Sequence, residues 1–191
     1  MLRMVMIVLM TAVAATAQAA SESYTIDPNH TFPNFTINHL GYSTMHGRFG
    51  KTSGKLTLDR DTMKGSVEVV IDAASVDTGF GKRNDHLRSP DFLNVGEFPT
   101  ITYKASNVTL NKDGTGKVNG QLTLAGVTKP VTLNVDRMNC ATHPFDPSKK
   151  KFVCGFDASA VIKRSDFGVS YGLPGIGDEM QLSFEVEAER D

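Results

Sequence analysis

The chain has 191 residues, 40% of them hydrophobic, and a formal net charge of −1 from 20 basic and 21 acidic side chains. That length suits one domain with a single core. The near-neutral balance gives no broad attraction to phosphate backbones, so nucleic acid is not an expected partner.

At the N-terminus Arg3 precedes the apolar run Met4 to Ala15 and the small-residue triplet Ala17-Gln18-Ala19. This is the order of a secretory signal peptide, expected to be removed after Ala19, and residues 20–191 then form the working domain. The apolar run falls short of the ~20 residues that a membrane-spanning helix requires.

Alternation of apolar and polar residues then marks half-buried strands. Phe35 and Ile37 lead to His39, Leu56 and Leu58 follow, and Val67, Val69, Ile71 and Ala73 form a third set. A turn centred between Tyr42 and Ser43 would set His39 across from His46, which makes these two the best metal candidates. Two histidines fall short of the three or four ligands zinc needs, and local hydrogen bonding is the simpler role.

Ser75 to Tyr103 breaks the β pattern. Thr78 to Arg88 reads as a short helix carrying Lys82, Arg83, Asp85, His86 and Arg88, and Ser89-Pro90-Asp91 reads as a second helix start. Phe92, Leu93 and Phe98 add an apolar edge. Such an insert either roofs a barrel mouth or covers a sheet edge.

From Ile101 and Tyr103 to Val108 and Leu110 the alternation slips by one, which predicts a bulge near Ser106 and Asn107. A hairpin centred between Val127 and Thr128, bracketed by Gly126 and Pro130, would pair Leu124 with Val131 and Leu122 with Leu133. Cys140 and Cys154 flank a loop and are expected to close a hairpin disulfide in an oxidising compartment. Their spacing fits neither C-x-x-C nor a zinc pattern. Since Cys140 is out of phase with Val131, Leu133 and Val135, a bulge or strand end must intervene.

Phe156, Ala158, Ala160 and Ile162 alternate again, as do Met180, Leu182, Phe184, Val186 and Ala188. Between them Gly168-Val169-Ser170-Tyr171-Gly172 matches the serine-hydrolase elbow, but Leu173-Pro174-Gly175-Ile176-Gly177 cannot supply the helix that such an elbow needs. About eight or nine strands at this spacing predict an all-β sandwich or barrel.

Several runs together resemble the YceI-like family of bacterial periplasmic polyisoprenoid- and lipid-binding proteins. They are Tyr24 to Asp27, Asn34 to Ser43 leading to Gly47-Arg48-Phe49, Ser75 to Thr78, His86 to Asn94 with Arg83 before it, Leu122 to Val131, and Ile162 to Gly168. Asn84 departs from the family, which usually has an acid after its Arg, and the two cysteines are unusual within it.

The resemblance implies a lipocalin-like, elongated antiparallel barrel of about eight strands with a short helical insert, located in the periplasm. It implies a non-catalytic carrier for a long-chain isoprenoid or similar lipid, such as a polyprenyl compound or an isoprenoid quinone, with no cofactor. An inner-membrane donor or acceptor and a homodimer are further expectations. On this reading the tunnel is lined by Phe35, Ile37, Val69, Ile71, Ile101, Tyr103, Leu122, Leu124, Leu133, Val135 and Phe156, with His39, Arg83 and His86 nominated for the head group. The rival readings are an enzyme, through Ser170 or the pair His39 and His46, and a stress-response module whose barrel is filled.

Overall fold

A computed structural model describes residues 21–191; the proposed leader and residue 20 lie outside the described residues. Eleven strands form one antiparallel sheet: β1 (Glu22–Ile26), β2 (Phe32–His39), β3 (Ser43–Phe49), β4 (Thr52–Asp59), β5 (Lys64–Asp72), β6 (Val76–Asp77), β7 (Thr100–Thr109), β8 (Gly116–Leu124), β9 (Val127–Thr142), β10 (Phe152–Lys163) and β11 (Ile176–Arg190). The helix α1 (Gly81–Arg88) is the only α-helix among the described residues.

Eight of the strands close a ring in the order β1, β4, β5, β7, β8, β9, β10, β11 and back to β1. Closure leaves no edge along that ring. The long β11 serves two neighbours on its free side: Ala188 to Arg190 pair with β1, whereas Ile176 to Glu185 pair with β2. At the end held by β2 the wall therefore runs through β3 to the two-residue β6.

Local chemistry sets the bends. The extra residue in β7 lies at Ser106 and Asn107, between the pairs Val67 with Ala105 and Gly65 with Val108, where the phase shift placed it. A second bulge leaves Asp136 unmatched, because Asp157 pairs with Arg137 and Ala158 with Val135. This brings Cys140 into register with Cys154, and the two form a disulfide with Cα atoms 4.0 Å apart.

Two hairpin registers differ from expectation. The β8–β9 turn is Ala125-Gly126, with φ of 47° and 77°, so Leu124 pairs with Val127 and Leu122 with Lys129. Two positive φ values match the strand twist in a two-residue hairpin. Pro130 lies within β9 and not in a turn; its stretch has no β10 neighbour, since that pairing stops at Asn134, and a missing N–H is tolerated there. The slip is an even four residues, so the predicted inward face survives.

The β2–β3 turn is built on Leu40 and Gly41, also with positive φ, and pairs His39 with Ser43 and Thr36 with His46. This slip is odd, so the two histidines fall on opposite faces of the ladder. Ser89-Pro90-Asp91 starts no second helix. Instead Ser89 ends α1, its N–H and its hydroxyl both donating to the His86 carbonyl.

The interior holds two packed clusters. One includes Tyr103, Ala105, Val118, Val135 and Phe167, and the other, at the β1 end, includes Tyr24, Ile26, Leu56, Leu58, Cys154 and Ala188.

Candidate functional site: an apolar cavity at one end of the barrel

The inward face of β11 changes character along its length. Met180, Leu182 and Phe184 border a cavity of about 430 Å³, while Val186 and Ala188 run on into the packed cluster at the β1 end. Neighbouring strands repeat the pattern. Ile71, Ile101, Leu122, Leu124 and Ile162 border the cavity, whereas Tyr103, Ala105 and Val118, further along β7 and β8, do not and pack in the core. Nearly all of the exposed cavity wall is carbon. A volume of this size lies in the range of small-molecule sites.

Nine of the fourteen predicted site residues border this space: Phe35, Ile37, His39, Ile71, Arg83, His86, Ile101, Leu122 and Leu124. Val69, Tyr103, Leu133, Val135 and Phe156 do not, and the expected tunnel is a blind cavity instead. Val69, Leu133 and Val135 pack in the core, and Phe156 packs against the far cluster. Tyr103 is buried with its hydroxyl donating toward the carbonyl oxygens of Val118 (2.8 Å) and Val131 (3.1 Å). Burial pushes that phenol up to about 12. It therefore lies across Gly120 as a neutral cross-brace from β7 over β8 to β9.

The polar groups sit at the open end. Arg83 donates from Nε to Thr78 Oγ1 (2.8 Å) and from Nη2 to the Thr78 carbonyl (2.7 Å), and its Nη1 approaches Met45 Sδ at 3.6 Å. Asn84, buried at the centre of α1, accepts from the Thr78 N–H and hydroxyl and donates to Asp77 (3.0 Å). A carboxylate at position 84 would face the Asp77 carboxylate, which explains locally why an amide stands there. Hydrogen bonds from the Gly79 N–H and from Asn84 hold the Asp77 carboxyl below its usual range.

His86 lies 2.8 Å from Asp91 and edge-on to both Phe92 and Tyr171, at 5.0 Å each, which ties α1 to the loop after β10. His39 borders the cavity from the end of β2. Among the described residues no group of three or more His, Cys, Asp or Glu is gathered as a metal site.

Sequence reasoning missed Arg164. It is buried in a 3-10 turn, borders the cavity, and donates to the carbonyls of Gly177 (2.8 Å), Val169 (2.9 Å) and Ile176 (3.0 Å). Burial lowers its guanidinium, with Asp178 opposing. Strand periodicity cannot reveal a residue on a turn; only its place in the quoted run Ile162 to Gly168 pointed there. The Ser170 match follows that same turn and precedes a strand, so the strand-turn-helix geometry of a hydrolase elbow is absent.

Residues 24–188 match the YceI-like domain family. The chain belongs to that family. A UPF0312 protein of Pseudomonas paraeruginosa is 40% identical over 176 residues, covering 91% of this chain and 90% of the relative. The crystal structure of BcnA from Burkholderia cenocepacia matches with a TM-score of 0.73 at 25% identity, over 85% of this chain and 98% of that one. A polyisoprenoid binding domain from Saccharophagus degradans, 20% identical, shares the fold with a TM-score of 0.66 over 89% and 99% of the two chains. This YceI-like chain thus has relatives that match it along nearly its whole described length.

Proposed function

We propose that this YceI-like protein is a non-catalytic periplasmic carrier that shelters the tail of a long-chain isoprenoid, or a similar lipid, in the blind cavity. The observation that carries the reading is the cavity itself: a carbon-walled space of about 430 Å³ bordered by a few cationic and imidazole side chains, among them Arg83, Arg164, His39 and His86. Burying each CH₂ contributes about 0.8 kcal/mol, so a five-carbon prenyl unit would contribute roughly 3 to 4 kcal/mol gross. A bilayer offers the tail nearly the same transfer energy. Net extraction therefore rests on polar contacts at the mouth, where His39, Arg83 and His86 are the proposed head-group contacts, or on transfer to a membrane donor or acceptor.

A polyprenyl compound or isoprenoid quinone suits the carbon wall, and the leader-like order of residues 1–19 supports export. The fold-level likeness to a polyisoprenoid binding domain is consistent with this ligand class. The test is organic extraction of purified protein followed by mass spectrometry. A prenyl lipid at near one per protein is expected, and it is lost in Leu124→Glu, whose carboxylate would be desolvated in the cavity. Unchanged lipid in a folded Leu124→Glu protein would overturn the assignment.

A further inference from the structure

We propose that the cavity mouth docks directly onto an anionic lipid bilayer through an apolar rim. This rests on the carrier reading, since the cavity supplies the reason for docking. Seven large hydrophobic side chains are conspicuously exposed among the described residues, and five of them, Leu40, Tyr42, Phe80, Tyr171 and Leu173, are 36 to 88% exposed in the three segments around the mouth. Exposed apolar groups clustered this way mark an interaction surface, whereas scattered ones need no explanation.

The three segments touch one another. The Leu40 N–H donates to the Gly175 carbonyl at 2.8 Å, joining the β2–β3 turn to the loop before β11. Tyr171 on that loop meets His86 of α1 edge-on, and Arg83 of α1 lies over the Phe80 ring at 5.8 Å while reaching Met45 on β3. Each segment also contributes cavity-bordering residues, namely His39, Arg83 and Ile176. The rim therefore surrounds the opening through which a tail would pass.

Charge selects the occupant. The β2–β3 turn from Asn38 to Gly47 has no acidic residue, and Phe167 to Gly177 has no charged residue at all. Phe80 to Asp91 has Lys82, Arg83 and Arg88 against Asp85 and Asp91, and these acids are paired with Arg88 and His86. The whole chain is slightly acidic, so this mouth is a face that an anionic leaflet would accept. Tyr and Phe beside Leu and cations is also the composition of membrane-interface anchors.

The test is co-sedimentation of the purified protein with vesicles of phosphatidylcholine, with and without phosphatidylglycerol. Binding should rise by about fivefold or more on adding the anionic lipid, the worth of roughly one surface cation. The triple variant Leu40→Asp/Tyr42→Asp/Leu173→Asp changes only exposed side chains outside the cavity wall and should lose that binding while melting like the parent. Wild-type retention by the triple variant would overturn the proposal. So would failure of the parent to bind either vesicle; a parent that instead forms a dimer abolished by the triple variant would assign the rim to a second copy. Leu124→Glu separates the two readings, because docking should persist when the tail site is lost.

Discussion

The ring of Phe35 lies directly over Gly47 on the neighbouring strand: a Cβ at position 47 would come within 2.3 Å of Phe35 Cζ. The two residues pair across β2 and β3, and Phe35 packs at 5.9 Å from Phe49. The missing side chain on β3 lets an aromatic wall lie back from the cavity. Gly47→Val should fold, since the ring is free to swing inward, but the displaced ring would occupy tail space. Overpacking of this kind costs about 1 to 3 kcal/mol of stability, and lipid affinity should fall because the ring takes up tail space. Titration with a fluorescent prenyl probe measures it.

The cross-brace can be tested independently of binding. Tyr103→Phe removes the hydrogen bonds to the Val118 and Val131 carbonyls without opening a void. Stability should fall by about 1 kcal/mol, read from the urea midpoint at unchanged slope. Because Tyr103 does not border the cavity, lipid content should stay at the parent level.

The disulfide belongs to the far end. Cys154 is fully buried in the cluster that contains no cavity-bordering residue. The double variant Cys140→Ala/Cys154→Ala should lose about 3 kcal/mol, as expected for a closed loop of this length. Denaturant unfolding with and without reductant should reproduce that difference in the parent, with lipid content unaffected.

Glu22 ties the two ends of the chain together, accepting hydrogen bonds from Arg60 (2.6 Å) and Arg190 (2.9 Å). The Arg60 hydrogen bond is the main reason its carboxyl is held down from 4.5 to about 2. A lowered folded-state value means that the stabilisation is complete above about 4.5 and is lost as pH falls toward 2. Both arginines are partly exposed, and solvent screening reduces the contribution to about 1 kcal/mol. Glu22→Gln should flatten the stability curve across that window and leave it otherwise parallel to the parent.

Inward faces and bulges were legible in the sequence because side-chain alternation reports them directly. The slip between Tyr103 and Val108 marked the β7 bulge, and the phase conflict of Cys140 required a bulge or a strand end, of which the structure has the bulge at Asp136. Hairpin registers were not, because Leu40 and Ala125 take left-handed turn positions that their side chains do not advertise. Pro130 misled for a different reason: it sits in a strand whose second neighbour stops short of it. The extent of the cavity was also hidden. Alternation shows that Ile101 and Tyr103 both point inward, but the space beside one and the solid packing around the other depend on what faces them across the barrel.

The β11 edge shared between β1 and β2 gives the molecule two ends of different tenacity. At one end the hoop is complete and covalently stapled; at the other, the panel formed by β2 and β3 is held along β11 on one side, while on its other side it meets β6 with the two pairs Arg48 to Asp77 and Phe49 to Val76. Such a panel can breathe while the stapled end holds its shape. For the proposed carrier, exchange of cargo on the β3–β6 side would need a parting of two rungs and no unfolding of the vessel.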